Sequence, residues 1–285
     1  MKAYQYKFFF LIRNVHFWLL GLAVSLITIN LSLVSRTSST EILLINFLFL
    51  AFICFLIKEK YHSLNLESGA ISSFLGFLLI ALVFLSNTIQ INFGFLFPLY
   101  PLISGFGLAL LASGFNGLKQ YQAELLALFG LSTHRLLSIS ASDISLLTAK
   151  FSTSILWYTG FKVARSGVNV ILPTGSIKVY PACAGMSVIL NLLSLALLFI
   201  LVFNINWKQK LLVSMVAAIF GFVVNGVRVA LMAILVAQGD KQAFEYWHLG
   251  DGSLIFGMIS ALLFGCFCWV LLSWNQQKSQ NSMES

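Results

Sequence analysis

The chain is expected to fold as an all-α polytopic membrane protein of about eight transmembrane helices, with an outer interfacial helix and a short β-hairpin. Two observations carry that expectation. Of its 285 residues, 59% are hydrophobic and only 9% charged, against about 25% charged in a soluble domain. The apolar residues also gather into separate runs of about 17–27 residues, the length a helix needs to cross some 30 Å of hydrocarbon. The net charge is +8. The basic residues are scattered between the apolar runs, so they read as topology signals and not as a nucleic-acid footprint; no nucleic-acid partner is expected.

In order, the spans are read at 17–35, 41–57, 70–86, 95–113, 121–138, 185–203, 211–237 and 254–273. The second and third are short, and the fifth carries His134 and Arg135 near its end. With both termini cytoplasmic, one side collects Lys2, Lys7, Arg13, Lys58, Lys60, Lys119, Lys208, Lys210 and Lys278. That is the asymmetry the positive-inside rule asks for. Arg36, Arg135 and the long 139–184 segment, with Lys150, Lys162, Arg165 and Lys178, fall on the outer side. The N-terminus resembles a signal peptide, but no small-x-small cleavage site follows, so a retained first span is expected. Residues 1–274 are read as one integral membrane domain whose catalytic part is about 139–273, and 275–285 as a disordered polar tail. No internal repeat is seen.

The outer segment divides in two. Ile144, Leu147, Phe151, Ile155 and Tyr158 recur at helical spacing with Lys150 and Ser154 between them, which fits an amphipathic helix lying in the interface. Residues 168–180 alternate instead, with Val168, Val170, Leu172, Ile177 and Val179 flanking Pro173-Thr174-Gly175-Ser176. This pattern predicts a hairpin that delivers the chain to Cys183.

Cys54, Cys266 and Cys268 lie within apolar runs, where cysteine behaves as a small hydrophobe. Cys266-Phe267-Cys268 has no partner pair at zinc spacing, so neither a metal nor a cofactor is expected. Cys183, in Pro181-Ala182-Cys183-Ala184-Gly185-Met186, has a polar, turn-rich setting. It is expected just before span six on the outer face. There the unpaired N–H groups and partial positive charge of a helix start favour a thiolate, and Gly185 allows close backbone approach. Alone, the motif also fits a structural cysteine. Arg228 stands 17 residues beyond Leu211 in span seven, roughly 26 Å up the helix and near the outer edge of the hydrocarbon. An arginine within the membrane costs at least ~2.5 kcal/mol and is a functional candidate by default, although it can also snorkel to the interface. Asn225 shares its helix face. His248 falls in the loop between spans seven and eight, on the outer face, where histidine is the usual general base. Tyr246 and Trp247 fit an aromatic belt.

The other histidines are weaker candidates. His16 and His62 fall near the cytoplasmic boundary without partners, while His134 lies near the outer end of span five, within reach of the site. Asp143, Asp240, Glu245 and Asp251 are outer carboxylates able to orient His248, and the sequence does not choose among them.

Taken together, Ala182-Cys183-Ala184-Gly185 at a helix start, Asn225-Gly226-Val227-Arg228 in the next helix and Trp247-His248-Leu249-Gly250 before the last span resemble the exosortase/archaeosortase family. The resemblance covers about residues 95–273 and is best from 160 onward. Histidine at the last position is similar to the exosortase branch; the archaeal branch has arginine there. Ala184 departs from the serine common in relatives. The resemblance implies a membrane-embedded cysteine peptidase or transpeptidase of the bacterial inner membrane, with its site on the periplasmic face. Its partners would be exported proteins ending in a short motif of the Pro-Glu-Pro type, a membrane helix and a basic tail, within a setting of membrane lipids. Cys183 would attack the peptide carbonyl to form a thioacyl-enzyme, His248 would serve as base and acid, and Arg228 would stabilise the oxyanion or hold an acidic motif, with Asn225 and Gly185 in support. The alternatives are a non-catalytic scaffold or a transporter for surface-polymer export, and an acyltransferase acting on lipid.

Overall fold

The computed structural model describes residues 15–37, 40–88, 96–140, 143–248 and 251–281. They form ten α-helices and one small sheet. Each expected span overlaps a helix: α1 Val15–Thr37, α2 Thr40–Lys60, α3 Ala70–Thr88, α4 Tyr100–Gly117, α5 Gln122–Ser140, α7 Met186–Val202, α8 Trp207–Gln238 and α10 Asp251–Asn281. Between them lie α6 (Ser145–Tyr158), the sheet, and a short α9 (Lys241–His248). The chain is a multi-pass helical membrane protein. Length and apolarity single out five stretches able to cross a bilayer, and α3 and α7 contain two shorter apolar helices, Ala70–Ser86 and Met186–Val202. The count falls below eight partly because the fourth and fifth spans merge. A 3-10 turn at Leu118–Tyr121 joins α4 to α5 within one apolar stretch, Phe97–Leu137. At the other end, α10 continues through Asn281, where a disordered tail was expected from residue 275; residues 282–285 lie outside the described residues.

The chain divides into two compact units, residues 1–136 and 137–285. In the first, Arg135 lies near the end of α5, as expected. It is buried and donates to Asn30 Oδ1 at 3.0 Å and to Asn46 Oδ1. Glu124 is also buried and pairs with Lys60 at 2.7 Å. His16 and His62 are not without partners: their rings pack at 5.6 and 5.2 Å from that of Tyr61. His134 belongs to this unit too and is buried there.

The second unit is organised around α8. A capping box of Asn206 and Gln209 starts this helix, satisfying two orphan donors, and Gly239 ends it. On its membrane portion, α8 packs with α7 and α10 through Leu192, Ala196, Val213, Ala217, Phe264 and Leu271. Its far end carries α6 and the sheet on a second apolar cluster that includes Ala149, Leu156, Val170, Leu172, Val179, Val229 and Ala233. The sheet is larger than the expected hairpin. β2 (Asn169–Leu172) and β3 (Gly175–Lys178) form that hairpin around Pro173-Thr174, and an exposed β1 (Ala164–Ser166) adds to the other edge of β2. Val170 and Leu172 face the core while Ile171 faces out, as a period of two requires.

Of the apolar stripe expected at 144–158, Ile144 and Ile155 pack on the apolar cluster and Phe151 lies against Gly226, but small residues make up most of the fully buried face. Ser145, Thr148, Ala149, Ser152 and Leu156 form its buried face, while Leu147 and Tyr158 are exposed. Small residues win the buried face because α6 crosses α8 closely. A Cβ on Gly226 would lie 2.3 Å from Phe151 Cδ1, and Ser152 Oγ donates to the Gly226 carbonyl at 2.9 Å. We therefore expect Gly226→Ala to lower the melting temperature of the detergent-solubilised protein, with a cost of about 1–3 kcal/mol from overpacking. Trimming the obstruction with Phe151→Leu in the same chain should recover part of the loss, which a thermal-unfolding comparison of the three variants will read.

Candidate active site

A 3-10 turn, Pro181–Cys183, follows β3, and α7 begins three residues after the cysteine at Met186. Gly185 makes this connection with φ 99°, in the left-handed region that costs other residues a Cβ clash. The same position has no room for a side chain: a Cβ there would lie 2.5 Å from Asn225 Nδ2. Asn225, 1% exposed, uses that space to donate from Nδ2 to the Cys183 carbonyl at 3.1 Å. Gly185 and Asn225 thus interlock, and each explains the other. Behind the turn, Ala184 is buried and its carbonyl accepts from Thr148 Oγ1 at 2.7 Å.

One helical turn beyond Asn225, Arg228 donates from Nε to the Trp247 carbonyl at 3.2 Å and from its guanidinium to the His248 carbonyl at 2.7 Å. His248 is not in a loop; it is the last residue of α9. That helix is held at its base by Asp240, which accepts from the Ala243 N–H at 2.9 Å, and at its end by Trp247, whose ring meets that of Phe256 on α10 at 5.6 Å. The His248 ring stacks on Phe244 at 5.0 Å, and its Nε2 comes to 3.2 Å from Cys183 Sγ. Three sequence segments therefore meet at one thiol–imidazole contact.

Several expected partners are placed elsewhere. Asp240 and Asp143 serve as local caps, the latter accepting from the Ser145 N–H at 2.8 Å. Glu245 is exposed, and the Asp251 side chain lies outside the described residues. Among the described residues no carboxylate bonds the His248 ring; Phe244 and the backbone bonds of Arg228 set its place. The other cysteines are apart from this constellation: Cys54 and Cys266 are exposed and Cys268 is buried in the apolar core of α8 and α10. Thr148 and Ser152 support the site and were missed from sequence. Their signal was present as small polar residues in the 145, 148, 149, 152, 156 pattern of α6, which the larger apolar residues of its other face concealed.

The electrostatics differ from a thiolate waiting at a helix start. Burial pushes the Cys183 thiol above its ordinary pKa, and the Arg228 charge offsets only part of that. Burial, reinforced by Arg228, pushes His248 below the usual histidine range. Desolvation disfavours both charged forms, which favours a thiol beside a neutral imidazole over a thiolate–imidazolium pair. The turn and Gly185 also hold Cys183 out of the first turn of α7, where a helix dipole acts most strongly. Alkylation of Cys183 by iodoacetamide should accordingly climb with pH through an apparent pKa above that of an ordinary cysteine. Arg228→Gln should move this midpoint higher still, because the only lowering influence is removed. A reactive plateau persisting to acid pH would instead indicate a preformed ion pair.

No curated protein and no solved structure is similar enough to the chain to count as a match. The family described as Transmembrane exosortase (Exosortase_EpsH) matches residues 37–265, a span that takes in most of both units and every residue of the thiol–imidazole constellation. This chain belongs to the transmembrane exosortase family.

Proposed function

We propose that the protein is a membrane-embedded cysteine peptidase or transpeptidase that cleaves the C-terminal sorting signals of exported proteins. The observation that carries this reading is the 3.2 Å contact between Cys183 Sγ and His248 Nε2 at the head of two apolar helices. A nucleophile and base within hydrogen-bond reach, with the base held by a third group, is the arrangement acyl transfer needs. His248 takes the thiol proton as Sγ attacks the scissile carbonyl. The tetrahedral intermediate collapses with cleavage of the C–N bond, and the imidazolium gives that proton to the leaving amine. Water or an acceptor amine then attacks the thioester and frees the thiol. Because burial favours the neutral pair, proton transfer accompanies attack.

Arg228 acts by position and charge. Its two bonds to main-chain carbonyls hold the end of α9, and its charge lies close enough to stabilise a developing thiolate. Asn225 and Gly185 fix the Cys183 carbonyl. A conduit for polymer would call for polar lining along several helices, whereas the core between α7, α8 and α10 is filled by aliphatic and aromatic side chains. The distribution of lysine and arginine between the spans favours the outer face for the site, with both termini cytoplasmic; the resemblance to exosortases implies that the membrane is a bacterial inner membrane and that this face is periplasmic.

The deciding experiment uses cells that make an exported protein ending in a short motif, an apolar helix and a basic tail. Cys183→Ala should abolish its processing, and intact processing would sink the nucleophile assignment. Arg228→Lys should reduce turnover by about 10- to 100-fold, since a single ammonium does not reproduce the guanidinium fork; activity at the native rate would remove the two-carbonyl clamp from the mechanism. Thr148→Val is expected to cost a smaller few-fold in rate, about 1 kcal/mol for one hydrogen bond, read as kcat with the melting temperature measured alongside.

A further inference from the structure

The sheet beside Cys183 has an open edge. In the order β1-β2-β3, strand β3 has a neighbour strand on one side only among the described residues. The two-residue hairpin pairs Leu172 with Gly175 and Val170 with Ile177, and the Val179 N–H extends the ladder to the Val168 carbonyl at 3.0 Å. In an antiparallel ladder alternate residues bond the neighbour. The N–H and C=O groups of Ser176 and Lys178 therefore point to the free edge, and no hydrogen bond among the described residues uses them. From that edge the chain runs through Tyr180 directly into the turn bearing Cys183.

A cleft lies along this strand. Ile177, Lys178 and Val179 line its strand side, while Val229 and Met232 of α8 and Phe244 of α9 line the helix side. Cys183 and His248 also line it. Among the described lining residues Lys178 is the cation and none is a carboxylate; its side chain is exposed, with Nζ resting 5.1 Å from the Tyr180 ring centre. Arg228 is committed to the Trp247 and His248 carbonyls, so Lys178 is the group placed to meet an anionic side chain.

We propose that the substrate segment preceding its membrane helix docks as an added strand on the free edge of β3, with an acidic side chain against Lys178. It runs in the direction of β3, because both chains pass from this edge towards a membrane helix. Main-chain bonds to Ser176 and Lys178 supply affinity and register, and register delivers one carbonyl to Cys183. Lys178 supplies the side-chain preference. This inference rests on the peptidase reading above, and it names how that substrate is held.

The test uses the full chain in lipid nanodiscs and a synthetic probe: a short segment with one glutamate, an apolar helix of about 20 residues and a basic tail. Binding is measured with Cys183→Ala and cleavage with the native chain, over a series of probes N-methylated at successive backbone positions. We expect binding to fall about five- to tenfold at alternate positions and to hold at those between. Lys178→Glu should weaken the glutamate probe and favour one carrying lysine instead. A flat N-methylation profile, or no binding of any probe, overturns the docked strand. Cleavage that persists with a flat profile leaves the peptidase reading standing without this docking mode, whereas alternating binding without cleavage by the native chain does the reverse.

Discussion

The hydrogen bonds that Asn225 and Arg228 donate to main-chain carbonyls hold together both halves of the candidate site. The two residues sit one turn apart on α8, so they share a face. Asn225 reaches the Cys183 carbonyl, and Arg228 reaches those of Trp247 and His248. A buried carbonyl left without a donor costs about 1–3 kcal/mol. The turn bearing the thiol and the helix bearing the imidazole therefore each gain by staying on α8. Nearby contacts support this frame: Gly185 clears space for Asn225, Thr148 ties the following carbonyl, and α6 is held on α8 by Ser152 bonding the Gly226 carbonyl and Phe151 lying against Gly226.

The same burial that makes these bonds worthwhile sets the protonation of the pair. Cys183 and His248 are partly removed from water, and a cation stands near both. Burial opposes the charged state of each; the cation helps a thiolate but opposes an imidazolium. A neutral pair with a fixed positive neighbour is a setting in which negative charge on sulfur is favoured only as a proton leaves.

Much of this was legible in residues. Apolar runs separated by charge predicted the helices, because a backbone in lipid must satisfy its own hydrogen bonds and a helix does so within one segment. The alternation around Pro173-Thr174 predicted the β2–β3 hairpin for the same kind of local reason. The apolar stripe read at 144–158 was borne out in part: Ile144, Phe151 and Ile155 pack inward while Leu147 and Tyr158 are exposed, and the small residues that complete the buried face meet α8 at a crossing with Gly226 which no periodicity reveals. Likewise His16 and His62 look solitary in the chain but share Tyr61 in the fold.

The sequence by itself determined that this is a multi-pass helical membrane protein, and it marked Cys183, Asn225, Arg228 and His248 as residues whose types are costly or unusual where they fall. These follow from local chemistry: hydropathy, spacing and the price of a charge in lipid. Only the tertiary structure decided how these residues meet. It separated the chain into two units, buried Arg135 between asparagines, turned Asp143 and Asp240 into local caps, and aimed Arg228 at two carbonyls. It also left β3 without a second neighbour strand among the described residues and brought it to the cleft that Cys183 lines. Such outcomes depend on which distant groups come within about 3 Å of one another, and spacing along a chain does not encode that.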